Sequence, residues 1–209
     1  GFVLPVSTAT VKPLGAMEYT DLQIIERVET HAKGFTGWKK GVSDIWVRSA
    51  ADKPDTFDDK VYTFECKEDG VRPIFIMVCT GTSHAGVYYQ QHFAEYNPKG
   101  CGVLCGDTYV FESHAFGYHH QRKDHPAYRQ VKGFPYTRDN DKDNKAENFG
   151  TIYHDPIGAN CHRASLRGTI FFIGKYSAAC LVRNAINRYK AWLAFMAKRP
   201  LSVGILNQW

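Results

Sequence analysis

Between residues 21 and 33, Leu22, Ile25 and Val28 recur at three-residue intervals in an otherwise polar stretch, the spacing of one apolar helical stripe. Thr20 and Gln23 stand at capping-box spacing ahead of it, and Gly34 supplies a stop behind it. From about residue 44 the pattern shortens to β-like runs: Ile45–Val47, Lys60–Phe64, Pro73–Val78, Val87–Gln90, Gly102–Leu104 and Thr108–Phe111. They are rich in Val, Ile, Tyr and Phe and are separated by Gly, Pro, Asp and Asn, as short strands are. Residues 122–150 are polar and irregular, which predicts a long loop bordering a cleft instead of joining the core. Strand texture returns at Thr151–Tyr153 and Thr169–Ile173. A last helix is predicted from Asn184 to Lys198, with Ile186, Tyr189, Leu193 and Met196 facing the core and Pro200 ending it. The expected fold is mainly β (α+β): a sandwich or barrel-like sheet with an N-terminal and a C-terminal helix. Residues 1–43 are read as a helical appendage and 44–209 as the main domain. No internal repeat breaks this plan.

A length of 209 residues, 44% hydrophobic and 14% aromatic, supports one well-buried core with a small addition, not a disordered tail. No apolar run approaches the roughly 20 residues of a spanning helix, and no signal peptide is visible in the chain. The formal charge of +5 suits an anionic partner such as a bacterial wall and is too weak to indicate nucleic acid. Six cysteines permit disulfides, but their spacing matches no small secreted scaffold, and no C-x-x-C pair points to a structural zinc.

The informative stretch is Gly158 to Asn184, GANCHRASLRGTIFFIGKYSAACLVRN. A thiol nucleophile needs an imidazole in reach, a field that favours thiolate, and amide donors for the oxyanion. Cys180 closes a small-residue turn, Ser177-Ala178-Ala179-Cys180, expected just after a strand and just before a helix. The amides of Ala179 and Cys180 are then candidate oxyanion donors, and a helix N-terminus would lower the thiol pKa. His162 lies a hairpin's length upstream. With six cysteines and nine histidines a pair at this spacing arises readily by chance, and a lone cysteine is more often a core thiol than a nucleophile. Cys161, in an extended segment, faces away from His162 and reads as core.

The motif resembles that of the L,D-transpeptidase (YkuD-type) family, whose domains carry a His, 14 to 17 residues, then Ser/Thr-His-Gly-Cys. Here His162 is followed by fourteen residues and then Ser177-Ala178-Ala179-Cys180. His162-Arg163 and Tyr176-Ser177-Ala178-Ala179-Cys180 are similar to the His-Arg and Trp-Ser-Ala-Gly-Cys of phage and bacterial relatives. Ile45 to Phe64, Gly117 to Gln130 and Arg138 to Asp143 are similar more weakly, so the resemblance spans roughly residues 44–196. It implies that Cys180 attacks a peptide carbonyl of a wall stem peptide through a thioester. His162 would be the base, with its ring oriented by the backbone carbonyl of Arg163. Ser177 would shape the turn and Ala179 would supply an oxyanion amide. His119 or His120, from a Gly-x-His element, with Tyr176 and Arg183, would bind substrate. Three positions depart from the pattern: Ala178 stands for the motif His, Ala179 for its Gly, and Val182 for the polar residue usual two beyond the Cys, with Arg183 one place later. No cofactor is implied. The phage-like similarity tilts the expectation toward a hydrolase acting on peptidoglycan, in a bacterial envelope or periplasm or on a phage particle. The reading from another class is a non-catalytic wall-binding or virion structural protein that keeps the fold.

Other constellations are weaker. His114, His119, His120, His125 and His154 invite a zinc reading, but no H-E-x-x-H or comparable ligand spacing occurs. Asp139, Asp141 and Asp143 alternate like the start of a calcium loop, without its closing glutamate or flanking helices, so a solvated acidic turn is the plainer expectation. Asp58 and Asp59 read as turn caps.

Overall fold

The computed structural model describes residues 18–209. A capping box starts the first helix, α1 (Asp21–His31): the Thr20 side chain accepts from the Gln23 amide at 3.2 Å, and Gln23 Oε1 accepts from the Thr20 amide at 2.8 Å. Its buried stripe is Ile24, Ile25 and Val28, while Leu22 is 49% exposed, so the stripe is rotated from the expected one. The helix packs on the outside of the sheet, against Ile45, Val47, Tyr62, Phe64 and Leu206.

The sheet is a closed eight-stranded barrel. Strands β1 (Gly41–Arg48), β2 (Asp59–Cys66) and β3 (Ile74–Thr82) form an antiparallel meander. The circuit continues through β9 (Leu181–Arg183), β8 (Cys161–Arg163), β6 (Pro126–Gln130), β5 (Thr108–Tyr118) and β10 (Leu201–Asn207), which returns to β1. Two neighbouring pairs run parallel, β1 with β10 and β8 with β9. A separate ribbon pairs β4 (Cys101–Leu104) with β7 (Tyr136–Asp139). Helix α2 (Val87–Gln91) and helix α3 (Ile186–Met196) complete the described chain, together with short 3-10 turns. Strand β1 is buried on both faces: Val42 and Trp46 point into the barrel, and Ile45 and Val47 point to the α1 side.

The barrel interior also holds Tyr189, Trp192 and Met196 of α3 and a buried ion pair. Arg183 donates to Asp44 at 2.8 Å, and Asp44 also accepts from Thr63 Oγ1 at 2.7 Å and Trp192 Nε1 at 3.2 Å. The Arg183 guanidinium lies 4.0 Å from the Trp192 ring centroid. Gly81 is required where β3 meets β9, because a Cβ there would come within 2.5 Å of the Val182 carbonyl oxygen.

Several expectations are corrected. Val87–Gln90 is helix, not strand. Residues 122–150 are not one loop: they contain β6 and β7, and they bury Tyr128, Phe134 and Tyr136 in the barrel core. Thr169–Ile173 is not a strand and makes only isolated bridges, Thr169 to Ala185 and Phe172 to Thr56. Cys180 leads into strand β9, not a helix. The barrel begins at Gly41, inside the segment read as an appendage, and β10 was not foreseen.

Candidate functional site

Strand β8 carries Cys161, His162 and Arg163, in register with Leu181, Val182 and Arg183 of β9. Side chains alternate across a sheet. Cys161 and Leu181 accordingly pack inside the barrel, whereas Val182 and the partly exposed Cys180 pack in an outer cluster with Phe57, Ala164 and Ile173. His162, opposite Val182, leaves the sheet on that outer face. The topology thus brings His162 and Cys180 to one face of adjacent strands and keeps Cys161 on the other. Cys161 is fully buried, and burial pushes its thiol well above the usual range.

The turn before Cys180 is held by Ser177, whose Oγ donates to the Cys180 carbonyl at 3.0 Å and accepts from the Ala179 amide at 3.4 Å. Ala179 has φ 137°, a conformation that glycine adopts freely and an alanine adopts under strain. The backbone therefore has the shape a glycine would take, with a methyl added. The Cys180 thiol donates to the Gly158 carbonyl at 3.6 Å, and burial pushes it up to about 11. No described hydrogen bond joins it to His162.

His162 is 3% exposed. Its Nδ1 lies 2.7 Å from the Arg163 carbonyl oxygen, which can only accept, so Nδ1 carries the proton. Nε2 is therefore the lone-pair nitrogen of the neutral ring. It is buried without a hydrogen-bond partner among the described residues. Burial, reinforced by neighbouring His119, holds His162 down at about 3.

Two more histidines close around it. A 3-10 turn at His119–Gln121 ends β5, and His125 precedes β6; the His119 amide donates to the His125 carbonyl at 2.9 Å, pinning the two together. The His119 ring stacks on His162 with centroids 4.0 Å apart, and His125 lies edge-on to His162 at 5.5 Å. His119 Nδ1 and His125 Nε2 are also buried without partners. Burial lowers both rings to about 4, with His120 next in effect on His119 and Arg163 on His125. Of the two alternatives, His119 faces the cluster, whereas His120 is exposed, its ring tilted against His119 with centroids 4.0 Å apart. These rings border a cleft of about 380 Å³ that also reaches Arg163, Arg167 and Tyr176.

Arg183 does not belong to this cleft. It is one residue past Val182, hence on the inner face, and is 1% exposed in its pair with Asp44. His114 is likewise structural: its Nε2 lies 2.7 Å from the Ala159 carbonyl, and burial lowers it to about 4. His154 borders a different cavity, beside Gly133 and Ile152. The sequence offers His125 only within a set of five histidines read as surface or cleft-lining; its place beside His162 depends on a hairpin and a strand neighbour that spacing along the chain does not reveal.

Carboxylate oxygens of Asp139, Asp141 and Asp143 lie within 4.8 Å of one another. They are engaged locally: Asp139 accepts from the Glu147 amide at 3.2 Å, Asp141 from the Asp143 amide at 3.0 Å, and Asp143 from the Lys145 amide at 2.8 Å. Such a relay of side chain to backbone bonds is typical of Asx turns. Asp59 binds the amides of Ser49 and Ser83 at 3.0 and 2.9 Å, as a turn cap does.

No family model, curated protein or solved structure matches the chain.

Proposed function

We propose that the protein is a cysteine-dependent acyl-transfer enzyme acting on peptidoglycan stem peptides, with Cys180 as nucleophile and His162 as base, as its resemblance to L,D-transpeptidases implies. The observation that carries this reading is the state of His162. Its Nδ1–H is committed to the Arg163 carbonyl, and the unprotonated Nε2 is left without a described partner on the sheet face that Cys180 shares. A buried lone pair without a donor calls for one, and the proton of a thiol or a substrate amine supplies it.

The thiol near 11 and the imidazole near 3 describe a neutral resting pair, so the mechanism uses general-base assistance and not a stored thiolate. As the Cys180 sulfur bonds to the carbonyl carbon, its proton passes to His162 Nε2. The oxyanion forms beside the Ala179 and Cys180 amides. Collapse expels the amine, which leaves with the proton held by His162, and a thioester remains on Cys180. Water then yields hydrolysis, and an amine acceptor yields transpeptidation. The phage-like motif favours hydrolysis.

A second reading, a wall-binding or virion structural protein retaining the fold, is favoured by the contact of the thiol with Gly158 instead of His162 and by the strained Ala179. Digestion of purified peptidoglycan followed by mass analysis separates the two. The enzyme reading expects cut or exchanged stem peptides with the parent, none with Cys180→Ala, and a severe loss with His162→Gln. Sacculus binding without turnover by the parent would favour the structural protein.

A further inference from the structure

A separate cavity, of about 460 Å³, opens where β1, β3 and β10 end and is closed on one side by residues 146–149. That volume falls within the roughly 300–1,000 Å³ of small-ligand clefts. The cavity lies at the same end of the barrel as the Cys180 turn: Gly86, two residues beyond His84, donates its amide to the Ser177 carbonyl at 3.0 Å. Its walls are fixed before anything binds. The Asn148 side chain donates to the Val103 carbonyl at 3.0 Å and to Thr137 Oγ1 at 3.1 Å, and its Oδ1 accepts from Arg48 and from the Gly106 amide, each at 3.2 Å. Arg48 also donates to Ser83 Oγ at 2.9 Å, and Gln208 Oε1 accepts from the Ala50 amide at 2.8 Å.

One wall carries an unmet hydrogen-bonding group. His84 is 8% exposed, and its Nδ1 lies 3.3 Å from Asp52 Oδ1. The carboxylate orients the ring and leaves Nε2 at the cavity wall, buried without a hydrogen-bond partner among the described residues. A hydroxyl both donates and accepts, so it completes that nitrogen whether or not the nitrogen carries a proton. The carboxylates of Asp52 and Glu147 and the guanidinium of Arg48 line the cavity together, so no single sign of charge dominates it. A neutral polar ligand suits such a lining better than an ion does. The remaining feature is apolar: Phe149, also in the lining, is 41% exposed.

We propose that this cavity is a saccharide subsite that seats a neutral pyranose of a glycan strand. The hydroxyls of the sugar meet His84 Nε2, the Glu147 carboxylate and the Asn207 amide, and its C–H face rests on the Phe149 ring. Because the walls are already held by their own hydrogen bonds, seating the sugar orders little of the protein. The assignment rests on the reading of a wall substrate given above and adds a second hold on it: the sugar strand is gripped at the barrel end where Cys180 meets the stem peptide.

The test is titration calorimetry of the full chain with the β-1,4-linked tetramer of N-acetylglucosamine, which carries no stem peptide and gives Cys180 nothing to act on. Binding with a Kd at or below about 1 mM is expected. Phe149→Ala and Glu147→Gln, both at exposed positions, should each weaken it at least about tenfold, one decade in Kd. No binding at about 10 mM tetramer overturns the proposal. So does binding that both substitutions leave unchanged. So does a free stem tetrapeptide that binds where the tetramer does not and is lost with the same two substitutions. The reading of Cys180 fails separately. A parent that cuts no stem peptide yet holds the tetramer through Phe149 and Glu147 leaves the subsite standing, and one that cuts sacculi without holding the tetramer refutes the subsite alone.

Discussion

Arg163 and Arg183 are register partners on adjacent parallel strands, and both are almost fully buried, yet they are treated in opposite ways. Arg183 is satisfied inside the barrel by Asp44, Thr63 and a tryptophan face. Arg163 keeps one backbone carbonyl, that of Asp124, whose exposed carboxylate also acts on its charge from the rim. A satisfied charge belongs to the architecture, where removing one partner strands the other. A charge held at the rim by a backbone carbonyl and a solvated carboxylate strands no buried partner when it is removed.

The largest expected effect lies on the satisfied side. Asp44→Ala should cost about 3–5 kcal/mol, because it leaves the Arg183 guanidinium buried and unpaired. Urea unfolding at constant slope checks this. Arg163→Gln should cost at most about 1 kcal/mol, since it removes one hydrogen bond to a backbone carbonyl and a screened attraction to the exposed Asp124. Equal losses for the two variants would break the comparison.

An intermediate effect concerns pH. His119, His125 and His162 are lowered from 6.5 to about 4, 4 and 3. The unfolded chain therefore binds more protons than the folded one between these values. The stability these rings confer is complete above about 6.5 and is lost as pH falls toward 4. The melting temperature should drop over that window, and it should drop less in His119→Gln. A flat profile from pH 7 to about 4.5 would contradict the buried neutral cluster.

The smallest effect is at the turn. Ala179→Gly should stabilise the chain by about 1 kcal/mol by relieving the backbone at φ 137°. Unchanged or lower stability would show that the alanine is at ease there.

Much of this contrast was legible along the chain. The Thr20–Gln23 box marked α1, and the dense β-branched and aromatic runs marked β1 and β2. The alternation rule placed Cys161 opposite His162. Applied one residue further, the same rule puts Arg183 and its register partner Arg163 on the face opposite His162; Arg183 pairs there with Asp44, while Arg163 reaches the Asp124 carbonyl at the rim. Strand β10 was hidden by its place after Pro200 and by Gly204, whose missing side chain lets Ile45 approach: a Cβ there would lie 2.8 Å from its Cδ1. Val87–Gln91 has strand-like residues, but packing overrides propensity in so short a piece. Polarity between residues 122 and 150 masked three aromatic core residues, because the chain dips inward only briefly there. The histidine cluster joins the end of β5, the start of β6 and β8, a meeting created by the β5–β6 hairpin and the pairing of β6 with the distant β8.

The central claim is that Cys180 becomes acylated, and intact-mass measurement of the protein after brief exposure to soluble peptidoglycan fragments tests it most directly. The account expects a hydroxylamine-labile adduct with the mass of a stem-peptide acyl group, mapping to the peptide that contains Cys180 and absent from Cys180→Ala. No adduct under conditions where fragments bind, or an adduct on any of the other five cysteines, would contradict it.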